Sequence, residues 1–301
     1  MKDSLFQTGF KVPDEWDRKT CGDFLRYSGV SRRLTAKLKR VPDGIVLNGS
    51  HVRTVDIVHA GDVVSIKNID DSLLEPNGGL TVPVVYENED VIVFDKPAGM
   101  PVHPSHKHRD DTLGNCFAAM FEGLTFRPIN RLDKDTSGLC AIAKTAYAAN
   151  ALAGNISKVY AAVTEGVPVP KSVENPLIKW HETAEGYRIE APIGRADGTV
   201  INREVREDGQ SAVTNYTIKK ESGDFALLRI SLETGRTHQI RVHFSSLGYP
   251  LAGDDLYGGS LDRCKRQALH CCEMRFVSPS GGEVLLTSDL PSDMKRLIIN
   301  N

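Results

Sequence analysis

The predicted strands of this chain do not alternate strictly with its predicted helices, and that order constrains the fold more than any other feature. A doubly wound parallel sheet requires strict alternation, so the pattern argues against that architecture and favours an α+β fold. In the larger, C-terminal part, strands are predicted at residues 91–94, 138–144, 159–164 and 225–232. Helices are predicted there at residues 111–122, 145–153 and 237–247.

A compact N-terminal module is predicted over residues 20–67. Thr20 is placed to cap a short first helix, and Ser31 is placed to cap a second helix over residues 32–40. The dipeptide at 48–49, Asn-Gly, predicts a β-hairpin because a two-residue turn favours residues that tolerate positive φ. Two helices against a small hairpin sheet form a self-contained unit.

An acidic, turn-rich stretch over residues 70–80 separates this module from the rest of the chain. Its sequence Pro-Asn-Gly-Gly at 76–79 favours turns and resists both helix and strand. We therefore predict two domains: residues 1–75 hold the module with its linker, and residues 76–301 form one larger domain.

The near-neutral balance of 37 basic and 39 acidic side chains conceals a basic region in this module. Between Arg18 and Arg40 lie eight basic residues and a single acidic one, Asp23. Such a patch indicates a polyanionic partner, although a solvated helix face is the simpler alternative. The residues of the second helix that we expect to contact that partner are Arg32, Arg33, Lys37, Lys39 and Arg40.

Composition excludes several classes of protein. No apolar run approaches the ~18–20 residues that cross a bilayer, and no apolar stretch of the signal-peptide type follows the N terminus. Six cysteines without a CxxC pair indicate neither a disulfide scaffold nor a zinc knuckle. We therefore expect a soluble protein of a reducing cytoplasm, with no membrane partner and no metal site.

The first candidate site is the segment at 130–138, NRLDKDTSG, which lies just before a predicted buried strand. Asp135 and Ser137 fit a capped turn, in which side-chain oxygens hydrogen-bond to the nearby backbone. That interpretation explains Asp133 less well, because Asp133 follows Leu132 and lies outside the turn cluster. Asp133 is therefore the stronger candidate for a chemical role.

The same segment also matches the DxDxT pattern of aspartyl-phosphate phosphatases from Asp133 to Thr136. In those enzymes the first carboxylate is a nucleophile and Mg²⁺ screens the phosphate. Their motif follows a buried apolar strand, whereas residues 125–131 here include a proline and two arginines. A magnesium phosphatase is thus the weaker alternative.

The second candidate segment is LETGRTHQIRVH at 232–243. On a helix that starts near Thr237, His238 and Arg241 are three residues apart and share a face. The histidines lack the HxxxH spacing of a zinc-binding helix, so metal binding is disfavoured. Arg241 lies among apolar neighbours and is either a surface residue or a buried guanidinium, which needs a carboxylate partner.

Two further features have simple structural interpretations. Tyr160 opens a predicted strand just after Lys158, and a lone tyrosine there is more often part of a core than of a site. His103, His106 and His108 lie in a proline-containing loop without clustered acidic or thiol partners, which indicates an exposed loop.

Together, these segments resemble the RluA-type RNA pseudouridine synthases. Residues 130–138 are similar to the family signature HRLDxxTSG, and residues 232–243 match LxTGRTHQIRVH almost letter for letter. Residues 89–104 resemble the family's EDIIVxxKPAGxxVHP opening, and residues 253–259 and 268–270 resemble two later family segments. The N-terminal module resembles the S-four type RNA-binding domain that often precedes this catalytic domain.

The resemblance implies a catalytic domain built on a mixed, largely antiparallel sheet flanked by helices, preceded by a small α/β RNA-binding module. It also implies the isomerisation of uridine in RNA to pseudouridine. In that reaction the bond from the sugar to the base nitrogen breaks and re-forms to the fifth ring carbon. No metal and no organic cofactor is expected; the expected partner is ribosomal or transfer RNA, and we expect a monomer.

By match to the family motifs, Asp133 is expected to be the catalytic aspartate and Arg241 its buried partner. A cation within ~4–6 Å favours the ionised form of a carboxylate, which suits a nucleophile or a base. Whether Asp133 attacks the sugar, attacks the sixth carbon of uracil or abstracts a proton stays open. Tyr160 matches the tyrosine expected to pack on the uracil, where stacking contributes ~1–3 kcal/mol.

Arg131 matches the family arginine expected to fill the position that the flipped base vacates, since extrusion of a base costs a few kcal/mol. The basic module would add sequence-independent phosphate contacts and a steep salt dependence. Position 130 departs from the pattern, because Asn130 stands where the family usually has His. Asn cannot titrate, but we expect it to be tolerated because no step above requires proton transfer from that position.

A second hypothesis is a non-catalytic RNA-binding or assembly factor that keeps the fold without turnover. The presence of Asp133, Tyr160 and Arg241 together favours the enzyme over this alternative.

Overall fold

The computed structural model describes residues 7–67 and 74–299 of the chain. The N-terminal module and the larger domain have separate hydrophobic cores. The predicted linker begins at residues 70–73, which lie outside the described residues. No helix in the described parts of the chain has the length and apolar character needed to cross a bilayer.

The N-terminal module packs two helices against small antiparallel sheets. Its helices are α1 (Cys21–Tyr27) and α2 (Arg32–Leu38). Its strands are β1 (Gln7–Lys11), β2 (Lys19–Thr20), β3 (Ile45–Leu47), β4 (Ser50–His51), β5 (Ile57–Val58) and β6 (Val63–Lys67). The strand order β1–β6–β3–β4 forms one sheet, and β2 pairs separately with β5.

The predicted caps and hairpin of this module are confirmed. The hydroxyl oxygens of Thr20 and Ser31 each accept a hydrogen bond at 3.2 Å from a backbone N–H in the first turn of α1 and α2. The turn residues Asn48 and Gly49 have φ values of 50° and 85° and connect β3 to β4. Local sequence therefore determines where these elements begin.

Helix α2 ends at Leu38, two residues before the predicted Arg40. Turns replace the last residues of the predicted helix, because Pro42 disfavours a helical conformation in the residue before it. The apolar face behaves as predicted, since Leu34 and Leu38 are buried in the core of the module. The basic side chains of α2 consequently point away from that core.

The larger domain contains the remaining helices and strands. Its helices are α3 (Leu113–Met120), α4 (Ala146–Leu152), α5 (Gln239–Ser246) and α6 (Ser292–Ile299). Its first strands are β7 (Val84–Glu87), β8 (Val91–Lys96), β9 (Arg127–Pro128), β10 (Ser137–Ala143), β11 (Ser157–Glu165), β12 (Lys179–Thr183) and β13 (Gly186–Glu190). Its later strands are β14 (Ile193–Arg195), β15 (Arg203–Val205), β16 (Val213–Ser222), β17 (Phe225–Leu232), β18 (Leu269–Val277) and β19 (Glu283–Thr287).

One large sheet organises this domain in the order β12–β13–β16–β17–β11–β18–β10–β8–β7. Strand β9 is added beside β10, and β19 is added beside β18. The neighbouring strands are antiparallel except β10 and β18, which run parallel at Ser137 and Gly138. The predicted α+β class, with a mixed and largely antiparallel sheet, is confirmed.

Strand β10 lies inside this sheet and positions the first candidate segment. Each of its residues from Ser137 to Ala143 is buried, as its continuous apolar sequence predicts. At Gly138, φ is 107° and an added Cβ would lie 2.3 Å from the carbonyl oxygen of Cys271 in β18. Only glycine permits this approach, so the loop that precedes β10 is brought against β18.

The module contacts the larger domain at α4. The ring of Phe10 packs edge-on against Tyr147 with centroids 4.8 Å apart. The Asn150 side-chain amide donates a hydrogen bond to the carbonyl of Gly29 at 2.5 Å. After the undescribed segment, Leu74 packs against the core of the larger domain. The boundary near residue 75 itself stays a prediction.

Candidate active site

Asp133 lies in the loop between β9 and β10, and buried groups hold that loop. The backbone N–H of Thr136 donates to the carbonyl of Asp133 at 3.1 Å, which closes a turn. The fully buried ammonium of Lys96 donates to the carbonyl of Lys134 at 3.0 Å and to two carbonyls after β8 at 2.7 and 2.8 Å. Burial lowers the pKa of Lys96 to about 8, so three carbonyl acceptors are needed to stabilise its charge.

Arg241 joins Asp133 to a second carboxylate, that of Asp254. Nη1 of Arg241 donates to Oδ2 of Asp133 at 3.0 Å. Nε and Nη2 donate to Oδ2 and Oδ1 of Asp254 at 2.7 and 2.8 Å, in a bidentate pair. The Asp254 side chain is 0% exposed, the Arg241 side chain 7% and the Asp133 side chain 29%. Of the two alternatives for Arg241, the structure shows the buried and paired one.

The electrostatics of this triad follow from its burial. Burial lowers the pKa of Arg241, but the carboxylates of Asp254 and Asp133 outweigh burial and raise it overall. Arg241 is therefore a permanent cation. Asp254 compensates that cation from the buried side, and Asp133 is the carboxylate of the triad that opens to solvent.

The sequence LETGRTHQ is held in shape by Gln239, the first residue of α5. Its Oε1 accepts hydrogen bonds from the Thr234 hydroxyl at 2.8 Å and from the backbone N–H of Arg236 at 3.0 Å. Its Nε2 donates to the carbonyl of Val213 at 2.9 Å, which anchors the loop to β16. This buried amide thus fixes the turn from which α5 starts.

Helix α5 begins at Gln239, so the predicted start near Thr237 is wrong by two residues. The reason is His238, whose backbone is left-handed with φ 58° and ψ 19°. His238 thus precedes the helix and does not share a helical face with Arg241. Its Nε2 nevertheless lies 3.7 Å from the Asp133 oxygen that Arg241 contacts.

A cleft with a volume of about 810 Å³ opens over Asp133, and Arg131 and Tyr160 line the same cleft. This volume lies within the range of ~300–1,000 Å³ that is typical of ligand pockets. Tyr160 is buried at its wall, and burial raises the pKa of its phenol well above the usual value. Tyr160 is therefore a neutral aromatic surface at neutral pH.

The charge of the cleft is positive. Its cationic lining residues are Arg131, Lys134, Lys158 and Arg236, and its carboxylates are Asp133 and Glu233. Both oxygens of Glu233 pair with the guanidinium of Arg188, which also pairs with Glu190. The remaining field attracts an anion to a pocket whose floor holds one carboxylate.

Asn130 occupies a structural position. Its Oδ1 accepts the backbone N–H of Ala141 at 2.8 Å, and its Nδ2 donates to the carbonyl of Leu139 at 3.1 Å. Both groups of the amide are therefore used to tie the loop of Asp133 to β10. The geometry agrees with the expectation that this position needs no titratable side chain.

The structure does not bring the basic residues of α2 into this cleft. Arg32, Arg33, Lys37, Lys39 and Arg40 are exposed on the module. Arg32 and Lys39, together with Arg26, line a separate surface cavity of about 300 Å³. In the parts of the chain that are described, no acidic side chain pairs with Arg32 or Arg33.

Of the loop histidines 103, 106 and 108, His103 lines the cleft. His103 and His106 are exposed, and His103 packs edge-on against Phe126 at 5.0 Å between centroids. His108 has a single acidic neighbour, since its Nδ1 lies 2.7 Å from Oδ2 of Asp111. Among residues 7–67 and 74–299, no group of three or more histidine, cysteine, aspartate or glutamate side chains is arranged to hold a metal ion.

Sequence reasoning missed Asp254, Lys96 and Tyr257. The sequence does suggest Asp254 as a candidate, because a buried guanidinium requires a carboxylate and Asp254 lies in the motif at 253–259. Nothing in the sequence distinguishes it from its neighbour Asp255, however, which is exposed. Tyr257 follows on the same short helical turn, and its ring lies 4.9 Å from Cζ of Arg241.

Comparisons with known proteins place this site in a family. A family model described as RNA pseudouridylate synthase matches residues 90–246. The chain is 34% identical over 282 residues to the uncharacterized RNA pseudouridine synthase YjbO of Bacillus subtilis. The aligned region covers 90% of this chain and 95% of that relative. It is also 34% identical over 278 residues to the ribosomal large subunit pseudouridine synthase D of Xanthomonas campestris, over 84% of this chain and 80% of that relative.

Solved structures agree. Human RNA Pseudouridylate Synthase Domain Containing 1 superposes with a TM-score of 0.55 at 25% sequence identity, covering 72% of this chain and 86% of that chain. Human RNA Pseudouridylate Synthase Domain Containing 4 has a TM-score of 0.52 at 23% identity, over 70% of this chain and 90% of that chain, and supports the fold alone.

The substitution Asp254→Asn tests whether the triad is held by charge. It keeps the shape of the side chain but leaves Arg241 with Asp133 as its remaining anionic partner. We expect the free energy of unfolding, measured by urea denaturation, to fall by on the order of 3 kcal/mol. Asp255→Asn is the matched control, since Asp255 is exposed, and a change within about 0.5 kcal/mol is expected. Equal losses in the two variants would contradict this account.

Proposed function

We propose, from the premise that the chain belongs to the family of RNA pseudouridylate synthases, that Asp133 is its catalytic carboxylate. As a member of that family, the protein isomerises uridine in RNA to pseudouridine. The observation that carries the proposal for Asp133 is its carboxylate, held 3.0 Å from a buried guanidinium and open to a cleft that accommodates a nucleotide.

The reaction requires an anion at the point where base and sugar separate. The bond between the sugar carbon C1′ and N1 of uracil breaks, a bond from C1′ to C5 forms, and a proton moves from C5 to N1. Attack of Asp133 on C1′, attack on C6 of the ring, and removal of a proton all need an ionised carboxylate with a free oxygen. The guanidinium of Arg241 lies 3.0 Å from Oδ2 of Asp133, and an adjacent cation stabilises a carboxylate anion.

Tyr160 and Arg131 are proposed to hold the flipped nucleotide. Tyr160 offers a neutral, buried aromatic ring at the wall of the cleft, which suits stacking on the uracil. Arg131 is exposed two residues before Asp133, so its side chain can enter the RNA helix where the base has left. Burial of the uracil between these residues and the triad would exclude water from the reacting atoms.

The N-terminal module, residues 1–75, is proposed to be an S-four type RNA-binding domain attached to the catalytic domain at 76–301. Its second helix buries one apolar face and exposes basic side chains such as Arg32 and Arg33. Exposed cations at a helix surface neutralise phosphates without reading sequence. The module therefore contributes affinity, and the cleft selects the nucleotide.

The RNA is proposed to be ribosomal, from the large subunit. Relatives from Xanthomonas campestris and Pseudomonas aeruginosa bear the name ribosomal large subunit pseudouridine synthase D, each 34% identical to this chain. We further propose that the protein acts in the cytoplasm, where bacterial ribosomes assemble. A monomer suffices, because Asp133, Arg241 and Tyr160 come from one chain around one cleft.

The alternative is a non-catalytic RNA-binding or assembly factor of the same fold. It is disfavoured because the carboxylate, its guanidinium partner and the aromatic wall are all in place around the cleft. Release of tritium from RNA labelled at C5 of uridine separates the two functions, since turnover alone liberates that label.

The substitution Asp133→Asn tests the catalytic assignment. It should abolish pseudouridine formation in a tritium-release assay, while binding of RNA in a filter assay changes less than threefold. Asp135→Asn is the matched control, because Asp135 lies two residues away. Its backbone carbonyl, which the substitution retains, accepts a hydrogen bond from Arg266. Turnover by Asp133→Asn at the wild-type rate would refute the assignment.

Charge reversal at Arg32 and Arg33 tests the module. Removal of two phosphate contacts should weaken RNA binding and flatten the plot of log K against log salt by roughly 1.5–2. Reversal of Lys219 and Lys220, two exposed residues of β16, changes the net charge equally and should leave the slope nearly unchanged. If both double variants had the same slope, α2 would not be an RNA contact.

The ribosomal substrate is tested by mapping pseudouridine in cellular RNA with and without the protein. We expect at least one site in large-subunit ribosomal RNA to be lost and then restored by the wild-type protein, but not by Asp133→Asn. Loss of sites confined to transfer RNA would assign the other substrate class and contradict the ribosomal proposal.

A further inference from the structure

The two carboxylate oxygens of Asp133 have different surroundings. Oδ2 accepts a hydrogen bond from Nη1 of Arg241 at 3.0 Å and lies 3.7 Å from Nε2 of His238. Within the described part of the chain, Oδ1 has neither a hydrogen bond nor an ion pair. One oxygen is therefore anchored, and the other is available to react.

The Tyr257 hydroxyl influences which ring nitrogen of His238 carries the proton. The Tyr257 hydroxyl oxygen accepts the backbone N–H of Arg203 at 3.0 Å and lies 2.8 Å from Nδ1 of His238. That oxygen can accept from Arg203 and still donate its own proton. Donation of that proton to Nδ1 is the arrangement that leaves the imidazole proton on Nε2, the nitrogen that faces Asp133.

The environment keeps this imidazole neutral. Burial lowers the pKa of His238, the carboxylates of Asp133 and Asp254 oppose that shift, and the cations Arg241 and Arg203 add to it. The net direction is downward, so the imidazole carries a single N–H proton at neutral pH. With Nδ1 as the acceptor of the Tyr257 hydroxyl, Nε2–H is a donor rather than a base.

The backbone conformation of His238 agrees with the placement of its ring beside Asp133. His238 adopts the left-handed conformation, φ 58°, which non-glycine residues rarely occupy, and its side chain does not cap α5. Its ring instead packs edge-on against Tyr257, with centroids 5.6 Å apart. The Tyr257 ring also lies 4.9 Å from Cζ of Arg241, so one tyrosine braces both groups that face Oδ2.

We propose that His238 is a positioning residue that donates a second hydrogen bond to Oδ2 of Asp133 when RNA occupies the cleft. A separation of 3.7 Å is too long for a hydrogen bond, and such contacts tighten when bound substrate excludes water. Two donors on Oδ2 fix the orientation of the carboxylate and present Oδ1 to the nucleotide. The inference rests on the proposed function of Asp133 and adds His238 and Tyr257 to the groups that orient it.

Four variants test this proposal: His238→Ala, His238→Gln, Tyr257→Phe, and the double variant of His238→Gln with Tyr257→Phe. His238→Ala should lower the single-turnover rate constant roughly 10–100-fold, as expected for loss of a hydrogen bond to a charged group, while KM for RNA changes less than threefold. Gln places an amide N–H near the position of Nε2, so His238→Gln should recover most of that loss.

Tyr257→Phe keeps the ring and removes the hydroxyl that directs the tautomer. It should lower the rate constant several-fold in the wild-type background but have no further effect beside His238→Gln, because an amide has no tautomer to set. Thermal melting of each variant confirms that it is folded. Equal losses from Tyr257→Phe in both backgrounds would overturn the tautomer role.

Failure of this inference is distinguishable from failure of the proposed function. If Asp133→Asn is inactive while His238→Ala turns over at the wild-type rate, His238 is not a positioning residue although Asp133 remains catalytic. If Asp133→Asn is active, the catalytic assignment of Asp133 fails, and the positioning role of His238 fails with it. A loss in His238→Ala that His238→Gln does not recover would also contradict donation from Nε2.

Discussion

The guanidinium of Arg241 between two carboxylates is the interaction on which the rest of the site depends. A buried cation is stable only when it is paired, and the fully buried Asp254 provides a bidentate partner from the protein side. Asp133 is therefore not needed to neutralise Arg241. The pairing of the buried guanidinium does not depend on the charge of Asp133, so this carboxylate is available for chemistry.

Hydrogen bonds from cationic side chains also hold the loop that carries Asp133. Lys96 donates to the carbonyl of Lys134, and Arg266 donates to the carbonyl of Asp135 at 3.1 Å. These two cations hold the backbone just after Asp133, and the side-chain amide of Asn130 holds the backbone just before it. A loop restrained on both sides loses little freedom when the nucleotide binds, which is the structural basis of preorganisation.

Local elements of this structure were predictable because their causes are local. The caps at Thr20 and Ser31 and the strand Phe225–Leu232 follow from residue type and alternation, and the structure confirms them. The partner of Arg241 was not predictable, since either Asp254 or Asp255 satisfies the sequence and only tertiary packing buries one of them. The left-handed backbone of His238 was missed for the same reason, because contacts across the fold determine its φ. Site residues that match a motif were thus easier to predict than the residues that hold them.

The separation of the basic helix from the cleft has a physical consequence for how RNA is selected. Arg32 and Lys39 line a surface of the module, whereas the cleft is lined by residues of the larger domain, such as Asp133 and Lys158. The module nevertheless contacts α4 through Tyr147, so both surfaces belong to connected parts of one chain. If the module binds RNA as proposed, that RNA has a raised effective concentration at the cleft without any contact to Asp133. Affinity and chemistry would then depend on different residues.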